Sequence, residues 1–238
     1  SNSYVQDLIE WRHKQGYIVY TATESEVGGS SASTGEIKNY ITNAYQNWEN
    51  PPEIIGLIGD TGGSYSLPNY SHNWEGYNGA TDFNYTQLDG SGDLIPEVFI
   101  GRLSFSTSAH LSTIVSKTLN YESNPYMNDN WFQRACLVGD PSTSGISCII
   151  TNENIHEMLE LANFHSVNTV YSGSFPNQMV SGMNQGVSFF NYRGFYGVSE
   201  FNSGDVNSTT NGFMLPVATV ITCGTGSFAS EDESIMEA

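Results

Sequence analysis

Cys223 closes an apolar run, "VATVITC", and is followed at once by Gly224 and Gly226. A thiol after a strand, with permissive backbone amides beside it, offers what acyl transfer needs: a nucleophile and N–H groups for the developing oxyanion. The competing reading is a buried structural cysteine, because free Cys is among the most buried residue types. Asp60 and Asp140 end two other apolar runs, "EIIGLIGD" and "RACLVGD", and the segment "NYRGFYG" (191–197) ends another. Ligands of open α/β sheets bind beyond the carboxyl ends of the strands, so these points define the candidate site. The stretch "GTGSFA" has the spacing of the loosest dinucleotide fingerprint. A working one needs a helix, a second strand and an acidic residue about 20 positions on, but the chain ends 12 residues after Gly226. No GxSxG elbow and no GK[ST] phosphate loop occurs, so serine-hydrolase and P-loop chemistry lack their signatures.

A second kind of chemistry is suggested by "DGSGD". Asp89, Ser91 and Asp93 alternate as hard-oxygen ligands do in calcium loops, with Asp82 and Glu97 flanking them. The glycine and the distal glutamate are misplaced for an EF-hand, and an acidic solvated turn explains the same residues. Cysteine number and spacing suit neither a disulfide framework nor zinc: Cys136, Cys148 and Cys223 are scattered, with no CxxC pair.

The whole chain of 238 residues carries 7 Lys and Arg against 25 Asp and Glu, a formal charge of −18. So few cations exclude binding to a nucleic-acid backbone through counterion release, and disfavour anionic membrane surfaces. No apolar run reaches the 18 or so residues of a membrane span. Hydrophobic residues at 38% and aromatics at 13% still allow a proper core. Abundant Asn, Ser, Thr and Gly with few Lys lean towards an extracellular protein.

The elements that would position the site alternate. Val5, Leu8, Ile9 and Trp11 or Arg12 have helical spacing, followed by a β-rich run "YIVYTAT". Ser33 and Glu36 form a capping box before a second helix. Residues 53–60 read as a buried parallel strand, 61–80 as a long polar loop, 97–103 as another buried strand, and 107–122 as a helix. Residues 124–130 ("NPYMNDN") are the best boundary, giving units 1–126 and 127–238. The pattern then restarts: strand 134–140, helix 152–163, strand 167–172, helix 176–184, strands 187–193 and 217–223. This is an α/β chain with mainly parallel sheet. The start enters directly on a helical pattern and "SIMEA" stops inside another, so the chain reads as a fragment of something longer.

The order "NYRGFYG", polar loop, apolar strand, "TCGTGSF" resembles the catalytic region of the gingipain family of secreted bacterial cysteine peptidases. The likeness continues upstream in "EIKNYI", "LIGD", "TDFNYTQLDGSGDLIPEVFIGRLS" and a helix ending "NYE" before a Trp. It implies a caspase-like α/β fold of two side-by-side subdomains with parallel sheets flanked by helices, and a further strand ahead of residue 1. It also implies Cys223 as nucleophile, Asp140 as the acid that orients a histidine, backbone at Gly194 and Gly224 for the oxyanion, and peptide or protein substrates. No cofactor is required, although structural calcium at Asp82, Asp89 and Asp93 fits the family. A secreted or surface location, in bacteria and within a larger polypeptide, is the matching expectation.

One position departs. The family motif continues N-Y-x-G-His-Gly, and here the histidine falls on Phe195 and the next glycine on Tyr196. The basic-residue specificity of the best-known members uses an acid on the helix after strand 134–140, where this chain reads "SCIITNEN", so that specificity is not carried over. An unassisted thiol has a pKa of about 8.5 and is only slightly ionised at neutral pH, and phenylalanine has no proton for the leaving amine. Removing such a base costs about 10⁶ in turnover in serine peptidases. His72, His110, His156 and His165 read more simply as surface or helix residues, and Tyr192 and Tyr196 are poor bases near neutrality. The expectation is weak or absent proteolysis, with Phe195 as a core or pocket-lining aromatic filling the histidine space. The alternatives are a non-catalytic peptide-binding or scaffold module, and an active endopeptidase with a relocated base.

Overall fold

In this computed structural model residues 2–90, 92–127, 129–229 and 233–238 are described. Along the chain run helices α1 (Gln6–Lys14), α2 (Glu24–Val27) and α3 (Thr34–Asn47), then strands β1 (Ile54–Ile58), β2 (Tyr70–Trp74), β3 (Tyr77–Thr81) and β4 (Phe99–Leu103). Helix α4 (Ser108–Ser123) leads to β5 (Arg134–Gly139), α5 (Pro141–Ser144), α6 (Ser147–Leu161), β6 (Ser166–Val170), α7 (Phe175–Asn184), β7 (Phe189–Tyr196), α8 (Ser203–Asn207) and β8 (Val217–Cys223). The chain divides into two compact units, Ser1–Ser116 with Ser227–Glu231, and Lys117–Gly226 with Asp232–Ala238. This division falls inside α4, whereas the sequence places the boundary at 126/127 in the Pro- and Asn-rich segment after it. Composition marks where a helix stops, and nothing in it marks where the contacts along a continuous helix change hands.

In the first unit α3 starts where the capping box requires. Ser33 Oγ accepts from the Glu36 amide at 3.3 Å, and Glu36 Oε2 accepts from the Ser33 amide at 2.8 Å. Ile37 and Ile41 of α3 pack with Leu57, Tyr85, Leu88 and Val98. β1 and β4 pair in parallel, Ile54 with Phe99 through Ile58 with Leu103. They are less buried than a continuous apolar run suggests, with Phe99 78% and Ile54 58% exposed. The expected polar loop 61–80 instead folds its second half into the antiparallel hairpin β2–β3, and "YIVYTAT" forms no strand. A β-rich run needs a partner edge, and among the described residues this one pairs with no strand, while Tyr20 makes a T-shaped ring contact with Trp48.

The second unit holds a four-stranded sheet in the order β6-β5-β7-β8, every pair parallel. The chain leaves β5 through α6 to reach β6 on one side, then returns through α7 to β7 and β8 on the other. The order therefore reverses between β5 and β7, and such a switch point opens a crevice at the carboxyl ends of those strands. Alternation along β7 serves both faces. Phe190 and Tyr192 join Cys136, Val138 and Met179 of α7 in the core, while Asn191 Nδ2 donates to Asn152 Oδ1 of α6 at 2.6 Å. Helix α6 begins five residues before the expected 152, α5 and α8 occupy segments read as loop, and 233–238 is a turn, not the helix expected from "SIMEA".

Candidate active site

The strands whose ends carry the candidate residues Asp140, Gly194 and Cys223 belong to the second unit. β8 ends on Cys223 as the sequence predicts, and its thiol is exposed, whereas Cys136 and Cys148 are buried. Burial pushes the Cys136 thiol up to about 12 and raises that of Cys148 as well. This leaves Cys223 as the accessible thiol and disposes of the buried-structural reading.

β7 runs three residues beyond its expected end and brings its last residues alongside. A bulge falls between Arg193 and Tyr196, since Arg193 pairs with Ile221 and Tyr196 with Cys223. The Gly197 amide then donates to the Cys223 carbonyl at 2.8 Å. Gly224 has φ +78, a left-handed conformation suited to glycine, and the Tyr196 ring lies where a β-carbon there would come within 3.1 Å of it. Gly194 is required for a different reason: any β-carbon would collide with the ring of Tyr192. Phe195 is 69% exposed, so it does not fill the core.

Asp140 is only 6% exposed and belongs to a hydrogen-bonded chain. Its Oδ1 accepts from the Ser142 amide at 2.9 Å and the Ser142 hydroxyl at 2.5 Å, capping α5, and its Oδ2 accepts from Ser199 Oγ at 2.7 Å. With the Ser199 proton committed to Asp140, Tyr192 donates to Ser199 Oγ at 2.8 Å. Burial raises the Asp140 carboxyl, but the bonds from Ser142 and Ser199 outweigh it and the net shift is downward. Burial raises the Tyr192 phenol, the bond to Ser199 opposes this, and the charge of Asp140 adds to the rise. Asp140 is therefore an ionised acceptor whose near neighbours are hydroxyls.

Ser199 was missed by the sequence reading. It sits with Glu200 at the centre of a tight turn closed by Phe201 N–H donating to Val198 O at 2.9 Å. Both central residues have positive φ, 45° and 68°, without being glycine. Buried Val198 and Phe201 anchor the turn in the core. Only Gly197 hinted at a turn there, and nothing in "VSEF" marks its serine as a partner of Asp140.

No histidine among the described residues bonds to Cys223. His72 meets Asn84 at 2.8 Å, His110 meets Ser106 at 3.2 Å, and His156 lies 3.4 Å from Glu160. Residues 224–229 form bends and turns, so the helix a dinucleotide fingerprint needs is missing from them.

Asp82 gives both carboxylate oxygens to Arg102, at 2.7 Å each. Asp93 Oδ1 accepts from the Ile95 amide at 3.0 Å, and Ser91 lies outside the described residues. Among the described residues no group of three His, Cys, Asp or Glu side chains is placed to hold a metal ion. The Asp82–Arg102 pair has a structural explanation: the guanidinium also donates to the carbonyls of Gly59, Leu67 and Pro68, fastening the turn after β1.

A parallel α/β unit with an exposed thiol at the carboxyl end of β8, beside β7, and a buried carboxylate at the carboxyl end of β5 has the arrangement of cysteine peptidases with a caspase-like fold. The profile of peptidase family C25 matches residues 2–238, and the chain belongs to that family. Gingipain R2 of Porphyromonas gingivalis is 26% identical over 235 residues, covering 94% of this chain and 31% of the relative. Lys-gingipain W83 of the same organism is 26% identical over 204 residues, covering 77% of this chain and 10% of the relative. The crystal structure of the Arg-specific cysteine proteinase gingipain R superposes with a TM-score of 0.85 at 25% identity, over 98% of this chain and 54% of that one. The chain thus spans about a third of gingipain R2 and about half of the solved gingipain R chain. No helix among the described residues is long and apolar enough to cross a membrane.

Proposed function

We propose that this chain is a gingipain-like peptidase domain that keeps the thiol and the peptide cleft but lacks the proton-transfer partner, so that it hydrolyses peptides weakly or not at all. The observation that carries the reading is the environment of Cys223. The thiol is exposed at the end of β8, solvent-facing Phe195 stands where the family motif would put the histidine, and Asp140 already accepts three hydrogen bonds from Ser142 and Ser199. Amide hydrolysis needs a base to take the thiol proton and an acid to return it to the departing amine. A phenyl ring does neither. A bacterial, secreted or surface location and further domains of the same polypeptide complete the reading, supported by the family and by the short span of the relatives that the chain covers.

Binding without cleavage is the second reading, favoured by Phe195 and Tyr196, which stand 69% and 67% exposed side by side at the end of β7. Both readings share the same cleft. Restoring an imidazole tests the assignment of its residues. A thiol-directed peptide electrophile should alkylate Cys223 about tenfold faster in Phe195→His than in the parent. That is less than the 10²–10⁴ of a complete general base, because Asp140 is already engaged. Equal alkylation rates would count against the placing of Phe195 at the proton-transfer position.

A further inference from the structure

We infer that Arg193 recognises a carboxylate of the ligand in this cleft, an inference that rests on the peptide-cleft reading above. The chain has only 7 Lys and Arg. Two of its arginines are spent on carboxylates: Arg102 on Asp82 at 2.7 Å and Arg134 on Asp129 at 2.5 Å. Arg193 has no carboxylate partner among the described residues. Its Nη1 donates to the Gly194 carbonyl at 2.5 Å and, more weakly, to the Ile221 carbonyl at 3.5 Å. These bonds fix the guanidinium at the end of the sheet and leave Nε and Nη2 without a protein acceptor among the described residues. Asp140, which follows the Gly139 that pairs with Arg193, gives its oxygens to Ser142 and Ser199.

Register places this cation on the thiol's side of the sheet. Arg193 pairs with Ile221, and Cys223 lies two residues further along β8, so the three side chains share one face. The bulge is on β7 beyond Arg193 and leaves that relation intact. Arg193 is half-buried, and a half-buried guanidinium with unmet donors is matched by a planar two-oxygen acceptor. The net charge of −18 works against acidic ligands at long range, but screening at physiological salt confines that repulsion to about 8 Å. The expected ligand is a peptide offering a carboxylate, from an acidic side chain or from its own C-terminus.

Three peptide pools, randomised at the flanking positions and carrying a neutral fluorophore, separate the sources by fluorescence anisotropy on the whole chain. One has a fixed Glu and a C-terminal amide, one has Gln there with the amide, and one has Gln with a free C-terminal carboxylate. The Glu pool or the free-carboxylate pool should bind about tenfold tighter than the Gln-amide pool, as a charge-assisted bond allows. Whichever does so identifies the source. In Arg193→Gln the gap should close while the Gln-amide pool keeps its affinity, which also shows that the variant is folded. Arg193→Lys, with charge but no fork, should recover only part of the preference, and it decides the matter should the Gln variant not fold. Equal binding of all pools by the parent overturns the inference and leaves the cleft standing. No binding by any pool overturns both, and a preference that persists in Arg193→Gln, or in full in Arg193→Lys, removes the assignment to this residue.

Discussion

Asp140 is the carboxylate expected from the family resemblance to orient an imidazole, yet its oxygens accept from Ser142 and Ser199. Removing that charge leaves buried donors unanswered, so Asp140→Asn should lower unfolding free energy at neutral pH by about 1–3 kcal/mol. The pH dependence follows from the sign of the shift. The folded-state pKa lies below the ordinary carboxylate value, so the contribution is complete above the unfolded pKa and fades as pH falls through the folded one. Denaturant unfolding should show the parent's advantage over Asp140→Asn at pH 7 and its decline as pH falls below the ordinary carboxylate range. A gap that stays constant, or widens in acid, contradicts the assignment. At this scale the sequence was informative about chemistry and silent about partners. The thiol at Cys223 and the phenylalanine at 195 could be placed from "TCGTGSF" and "NYRGFYG" alone. The engagement of Asp140 by Ser199, 59 residues away, depends on a turn that no local pattern announces.

The turn 198–201 shows how the elements make the site. β7 delivers Tyr192, Arg193 and Gly194 in alternation, a bulge re-aims its last residues, and the chain reverses through two left-handed non-glycine residues. Such backbone costs about 1 kcal/mol per residue and persists where surrounding contacts fix it, here the buried Val198 and Phe201 and the Ser199–Asp140 bond. Glu200 is exposed and its side chain is not part of the network, so Glu200→Gly should raise the thermal midpoint by relieving strain worth about 0.5–1 kcal/mol. Scanning calorimetry measures it, and a lowered midpoint would show that the glutamate side chain matters in its own right. The strands and helices of the second unit were legible because each buries a periodic face against the others. In the first unit "YIVYTAT" has the composition of a strand but finds no pairing edge, and β2–β3 arises in a segment too polar to be read as one. Calcium at Asp82, Asp89 and Asp93 was read from oxygen spacing, which does not reveal that Arg102, twenty residues downstream of Asp82, takes up that carboxylate.

For the molecule as a whole, a charge of −18 leaves few cations for counterion release from a phosphate backbone and says little about catalysis. Membership of peptidase family C25 says what the scaffold is built for, and the family relation extends over residues 2–238. What the scaffold does in this chain turns on whether the exposed thiol at the end of β8 can complete a peptide-bond cleavage. General acid–base partners and the nucleophile act as a unit, so losing one forfeits most of what the others supply. Turnover of a broad fluorogenic peptide library by the chain and by Cys223→Ala addresses this directly. The account predicts that the two proteins are indistinguishable at background, or that the parent exceeds the variant only by a trace that Phe195→His increases. Robust turnover by the parent that vanishes in Cys223→Ala would contradict it and place a working base within reach of the thiol.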